Sequence, residues 1–353
     1  MLDSIASSTG SRVPHPSRSF IARWVGSLGS ALSGCLRSLA LGDRGRILPT
    51  LVFLFTALTL PAQDLPQGPT FHLESKLVSL WVNVTDVNGA FVGGLKKEDF
   101  RVYEDGRPQD IAVFERESNQ PLAIILAIDT SESTFKDRAL EQSAAHKFVQ
   151  ALLRPQDQMS LFQFATNVTQ LVPFTNSVKE LDRGLGHLRN GEATAVYDTI
   201  YLGSDELAKR HGRKVLVLVS DGGDTVQGTT YPQALEEALR GEVMIYSIID
   251  VPIDASAGRD LGGEHALITL SEQTGGKSFY ADAGGLDAAF QKVSDDLRTQ
   301  YLIGYYPKNQ APGVNFHRVT VTIPRAAPGT YNIRNRTGYY AGPPAQPRHI
   351  PLD

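Results

Sequence analysis

Cysteine is almost missing: the chain of 353 residues has one, Cys35. A lone cysteine excludes an internal disulfide and a thiolate metal cluster, so the fold must be held by its core. The eight histidines are scattered and form no H-E-x-x-H pattern, which leaves no zinc-protease motif. Basic residues do not dominate either. Lys and Arg number 34 against 38 acids, a net charge of -4, so no basic surface for nucleic acid is advertised. The apolar run from Ile47 to Leu60 has about 14 residues, short of the roughly 20 that a membrane-spanning helix needs. Also missing are a phosphate-cradling G-x-x-x-x-G-K-[ST] loop and a G-x-S-x-G nucleophile elbow. What remains, with 41% hydrophobic and 20% charged residues, is a globular composition.

The first 63 residues differ from the rest. They hold six Arg and two acids, Asp3 and Asp43, and end in Arg44-Gly-Arg46, the apolar run and Leu60-Pro-Ala-Gln63. A basic flank, a short apolar core and small Ala62 form a secretory signal. Cleavage is the preferred reading. Two alternatives stay open: a retained anchor, and lipidation at Cys35 within Leu32-Ser-Gly-Cys35. Without this segment 28 basic residues face 36 acids, a net of -8, and no cysteine is left. The protein is expected to be exported: periplasmic, on the outer surface or secreted. Membrane contact would come only through the export segment.

Residues 64–118 begin with a Pro- and Gly-containing linker and turn β. Leu77–Thr85 alternates apolar and polar residues, Asn88-Gly89 is a hairpin signal, and Phe100–Tyr103 and Ile111–Phe114 are two further short strands separated by Glu104–Pro108. From 119 to 300 the texture changes. Leu122–Ile128 is a continuous apolar run, as in a strand buried on both faces. Strands at 159–164, 168–172, 215–219, 243–249 and 278–280 then intersperse with helices at about 137–153, 177–189, 196–210, 232–240, 264–273 and 285–299. Such a series predicts an α/β fold with a doubly wound, mostly parallel sheet. Residues 301–342 are β again, at 301–306, 317–323 and 331–334, and 343–353 form a tail. Lone β-layers at each end would leave exposed edges, so the two flanks are expected to form one β-sandwich into which the α/β domain is inserted.

Ligands of open α/β sheets sit beyond the carboxyl ends of the strands. Three loops there carry short oxygen-bearing side chains: Asp129-Thr-Ser131-Glu-Ser133, Gly191-Glu-Ala-Thr194 and Ser220-Asp221-Gly-Gly-Asp224. Two carboxylates (Asp129, Asp221) and three hydroxyls (Ser131, Ser133, Thr194) suit a small hard cation that wants about six oxygens. No His or Cys stands beside them to recruit zinc.

In these residues the chain resembles the von Willebrand factor A family. Asp129-x-Ser131-x-Ser133 matches the family's first metal motif, Thr194 its lone threonine and Asp221 its later aspartate. The resemblance implies a metal-ion-dependent adhesion site for Mg²⁺ or Mn²⁺. The two serines and often the threonine bind directly, the aspartates act through water, and the open position takes a carboxylate from a protein partner. The Asp99–Pro108 run and the Tyr301–Tyr306 and Asn335–Tyr340 stretches resemble the flanks of the von Willebrand factor A-related family known from acidobacteria. The implied role is binding, not catalysis, and no catalytic residue is assigned. A metal-assisted hydrolase of phosphate esters and a structural protein with a degenerate site are the competing readings. Asp198 is read as a helix-start charge or a hydrogen-bond partner behind the ligands. Glu132 and Asp224 are expected to tune the field or face solvent. The tyrosine pairs 305/306 and 339/340 are expected to pack in the sandwich.

Overall fold

In the computed structural model residues 77–116, 120–132, 138–250, 260–281, 285–308, 315–342 and 352 are described. The expected export segment, Cys35, Ser133 and most of the tail lie outside the described residues.

The N-terminal flank supplies β1 (Val78–Asp86), β2 (Arg101–Glu104), β3 (Arg107–Gln109) and β4 (Ile111–Arg116). The α/β unit follows with β5 (Leu122–Asp129), α1 (Arg138–Leu152), β6 (Gln158–Phe164), β7 (Val168–Thr175), α2 (Val178–Leu185) and α3 (Val196–Ala208). It continues with β8 (Arg213–Ser220), α4 (Tyr231–Gly241), β9 (Val243–Ile249), α5 (Leu261–Thr274), β10 (Ser278–Tyr280) and α6 (Gly285–Arg298). The C-terminal flank adds β11 (Tyr301–Tyr305), β12 (Phe316–Thr322), β13 (Tyr331–Arg334) and β14 (Gly338–Tyr340).

The central sheet has the order β10-β9-β8-β5-β6-β7, and every pairing is parallel except β6 with β7. Successive side chains of a strand point to opposite faces. Ile124, Leu126 and Ile128 of β5 therefore pack on one layer, with Phe148 of α1, Leu181 of α2 and Phe290 of α6. Ala123, Ile125 and Ala127 pack on the other, with Ile200 of α3, Ala238 of α4 and Leu270 of α5. Both faces are dry, which is why the run from 122 to 128 shows no polar alternation.

The flanks form two four-stranded sheets, β13-β1-β11-β4 and β14-β12-β2-β3. Each mixes N- and C-terminal strands: β1 pairs antiparallel with β11, and β2 with β12. Their inner faces share one core around Leu80, Val82, Phe100, Tyr301, Ile303 and Val319. The Tyr301 ring packs among Phe91, Phe100 and Phe114, and its hydroxyl takes the Gly94 and Leu95 amides and donates to the Val92 carbonyl. The α/β unit is thus inserted between strands of a β-sandwich, as the alternation of textures predicts.

Two local expectations change. Glu104–Pro108 is not a plain connection: Asp105 (φ 49) and Gly106 (φ 77) form a two-residue hairpin turn and β3 follows. Both turn residues adopt the left-handed region that such hairpins need. Pro108 fits because β3 is an edge strand. Conversely, Asn88-Gly89 closes a turn whose return is one isolated bridge, Thr85 to Phe91. Asp86 Oδ1 accepts the Asn88 and Ala90 amides and fixes that turn.

A buried polar hub joins α6 to the sandwich. Asp296 accepts from Arg334 Nη2 at 2.7 Å on each carboxylate oxygen, from Asn83 at 3.1 Å and from the Tyr246 hydroxyl at 2.7 Å. Gln300 donates to Tyr246 and accepts from Arg213, whose guanidinium lies 4.7 Å from the Trp81 ring centroid. β1 and β13 of the sandwich thereby connect to β8, β9 and α6 of the α/β unit.

Candidate metal centre

The site is built at the carboxyl edge of neighbouring strands β5 and β8. Their parallel register pairs Ile128 with Val219, which brings Asp129 beside Ser220. The Ser220 hydroxyl donates to Asp129 Oδ2 at 2.6 Å, and the Ser131 amide donates to Asp129 Oδ1 at 2.9 Å. The Ser131 side chain also bonds to this carboxylate. Both Asp129 and Ser131 are 1% exposed. The next residue back is pinned in turn: the Thr130 amide and hydroxyl donate to the Phe164 carbonyl at the end of β6.

The second loop is sewn to the first. Gly191 donates its amide to the Thr130 carbonyl at 2.9 Å. A Cβ at Gly191 would stand 2.4 Å from Ala165 Cβ, so only glycine permits this approach. Buried Thr194 is held through its main chain: its amide donates to the Thr225 hydroxyl at 2.8 Å, and its carbonyl accepts the Thr225 amide at 2.9 Å. Thr225 belongs to the third loop, so this pair joins the loop of Thr194 to the loop of Asp221. Gly222, at φ +117, donates its amide to the Ser220 hydroxyl, and a Cβ there would meet the Glu264 amide at 2.9 Å. The start of α5 therefore packs directly on the loop that carries Asp221.

Asp129 and Asp221 stand close enough for their charges to interact. Burial pushes the Asp129 carboxyl up to about 6, the Asp221 charge adds to this, and the Ser220 and Ser131 hydrogen bonds oppose it. A buried carboxylate facing a second acid, with buried hydroxyls alongside, is a donor set that a hard dication would neutralise. In the metal-free protein the folded state binds this proton more tightly than the unfolded chain. The contribution favours folding fully below pH 4 and is lost as pH rises through about 6. A rise from 3.8 to about 6 is worth about 3 kcal/mol. In urea unfolding with chelator present, the wild type is expected to lose more stability between pH 4 and 7 than Asp129→Asn. Equal losses would assign the effect to other groups.

Of the five expected ligands, Asp129, Ser131, Thr194 and Asp221 lie on loops stitched together at one edge of the sheet. Ser133 lies outside the described residues. Asp198 sits in the first turn of α3 and accepts the Thr229 amide at 2.7 Å, so it props the third loop. Asp224 has a role the sequence reading missed. α3 has no side-chain cap of its own, and Asp224 Oδ1 accepts the Tyr197 amide at 3.0 Å from 27 residues away. Glu132 is exposed. Asp260 caps α5 through the Gly262 and Gly263 amides.

The sheet is doubly wound, and hydroxyl and carboxylate loops gather at its carboxyl edge, where ligands of open α/β sheets sit. Residues 124–223, within the α/β unit, match the family described as the von Willebrand factor type A domain. Solved structures that match include an aerotolerance-related membrane protein from Bacteroides fragilis, at 15% identity and TM-score 0.40 over 50% of this chain and 98% of that one. The vWF domain of the type V pili tip protein Mfa5 from Porphyromonas gingivalis matches at 14% and 0.40, over 50% and 95%. The pilus adhesin SpaC from Lactobacillus rhamnosus GG matches at 11% and 0.43, over 69% and 48%. None of the curated proteins matches the sequence.

Proposed function

We propose that this is an exported binding protein that holds one Mg²⁺ or Mn²⁺ through Asp129, Ser131, Ser133, Thr194 and Asp221 and uses it to grip an acidic side chain of a protein partner. The observation that carries the reading is the buried Asp129 carboxylate, fixed by Ser220 and Ser131 beside Asp221 at the carboxyl edge of the sheet. A cation held mainly by neutral hydroxyls keeps most of its charge and offers it to an anion. Ser220 and Ser131 orient Asp129, and the main-chain pair with Thr225 orients Thr194. The basic, apolar start of the sequence supports export, and among the described residues no helix is long and apolar enough to cross a membrane.

Immobilised aspartate-bearing peptides are expected to retain the protein in Mg²⁺ and to release it on chelation. The same peptides with amidated carboxylates are expected to retain none. Retention that survives chelation, or is equal on amidated peptides, contradicts the reading.

A further inference from the structure

We propose a second metal site, of the zinc type, at the corner of the sandwich formed by Glu104, Asp105 and His317. It lies on the β2–β3 hairpin and on β12, apart from the loops that carry Asp129 and Asp221. One donor atom from each of Glu104, Asp105 and His317 lies within 4.8 Å of the other two.

Each donor is oriented by its surroundings. Asp105 occupies the left-handed turn position; its amide donates to the Arg318 carbonyl at 2.9 Å, and its Oδ1 accepts the Arg318 amide at 2.9 Å. Its other oxygen, Oδ2, faces His317 Nδ1 at 2.7 Å. Glu104 is 3% exposed, and its Oε2 accepts the hydroxyls of Tyr305 at 2.7 Å and Tyr339 at 2.9 Å. Its Oε1 lies 3.8 Å from His317 Nδ1, beyond hydrogen-bond length. The His317 ring is 1% exposed and stacks on Tyr339. Each carboxylate thus has one oxygen tied down and the other turned to a common point, the arrangement in which outer hydrogen bonds aim metal ligands.

The donor set selects the metal class. Nitrogen and carboxylate oxygen bind Zn²⁺ at about 2.0–2.2 Å, so tetrahedral neighbours stand roughly 3.3 Å apart. The observed 2.7 and 3.8 Å bracket that spacing. Imidazole disfavours Mg²⁺. The Asp105 side chain is 43% exposed, which opens the site to solvent on one side and leaves room for a water ligand. A His317–Asp105 hydrogen bond that merely ties the hairpin to β12 accounts for those two residues. It leaves Glu104 Oε1 aimed at the same imidazole nitrogen from 3.8 Å without a hydrogen bond to it. On binding, the cation takes the place of the Nδ1 proton, which moves to Nε2 or to solvent.

The test is a calorimetric titration of Zn²⁺ into the full chain with Mg²⁺ in excess. One Zn²⁺ per chain is expected, with a raised melting temperature. Asp105→Asn, at an exposed position that should fold, is expected to bind at least 10-fold more weakly, and His317→Gln not at all. Asp129→Ala is expected to bind Zn²⁺ as the wild type does. No zinc binding, or equal binding by wild type and Asp105→Asn, overturns the proposal, because the latter marks adventitious surface binding. Loss of zinc binding in Asp129→Ala would also overturn it, by placing the ion in the α/β site.

Discussion

Asp296→Ala is expected to cost about 3–5 kcal/mol of stability, the usual penalty for removing one member of a buried ion pair. The cost arises mainly from what is left behind. Arg334 Nη2 loses both carboxylate oxygens, and Tyr246 and Asn83 lose the acceptor of their side-chain donors. Asp296 and Arg334 side chains are 10% and 18% exposed, so water screens the pair poorly. The damage is expected to fall on the junction between α6 and the sandwich, because Asn83 and Arg334 pair directly in β1 and β13. Urea unfolding at neutral pH measures it, and Asp296→Asn, which keeps the shape, should cost less than Asp296→Ala. A loss below about 1 kcal/mol would put the pair with exposed surface bridges instead.

The second large effect is expected at the proposed metal site. Ser131→Ala with Thr194→Ala should weaken Mg²⁺ binding by about 100-fold or more and abolish retention on acidic peptides, with the fold intact. These positions suit the test because main-chain hydrogen bonds also hold both residues in their loops. The Ser131 amide still donates to Asp129, and Thr194 is held to Thr225 through its own amide and carbonyl. Removing two proposed direct ligands should exceed the roughly 10–100-fold loss that follows from removing a group behind the ligands. Circular dichroism matching the wild type, beside lost binding, is the expected pair of results. Unchanged Mg²⁺ affinity would mean that these hydroxyls serve the loops and not a cation.

The sequence makes the layers legible because the physics there is local. Leu122–Ile128 is apolar on both faces and becomes a central strand; Leu77–Thr85 alternates and becomes a strand with one face in the sandwich core. The placement of Asp129, Ser131, Thr194 and Asp221 in loops at one edge of the sheet is readable because each lies next to a strong element. What stays hidden depends on partners far along the chain. Asp224 caps α3 from another loop, Asp296 meets residues of β1 and β13, and His317 meets Asp105 across 212 positions. No periodicity records such contacts. β3 was readable in principle, since Asp105-Gly106 is a two-residue turn pair, but its charges and Pro108 mask a short edge strand. The tyrosine pairs divide: Tyr305 and Tyr339 are buried on Glu104, whereas Tyr306 is 53% exposed.

The most direct test of the central claim is a calorimetric titration of Mg²⁺ and Mn²⁺ into the chelator-stripped full chain, with melting temperature followed in parallel. The account predicts one site per chain, a rise in melting temperature on binding, and neither effect in the Ser131→Ala, Thr194→Ala double variant. No binding and no thermal shift in the wild type, or the same binding in the double variant, would contradict it.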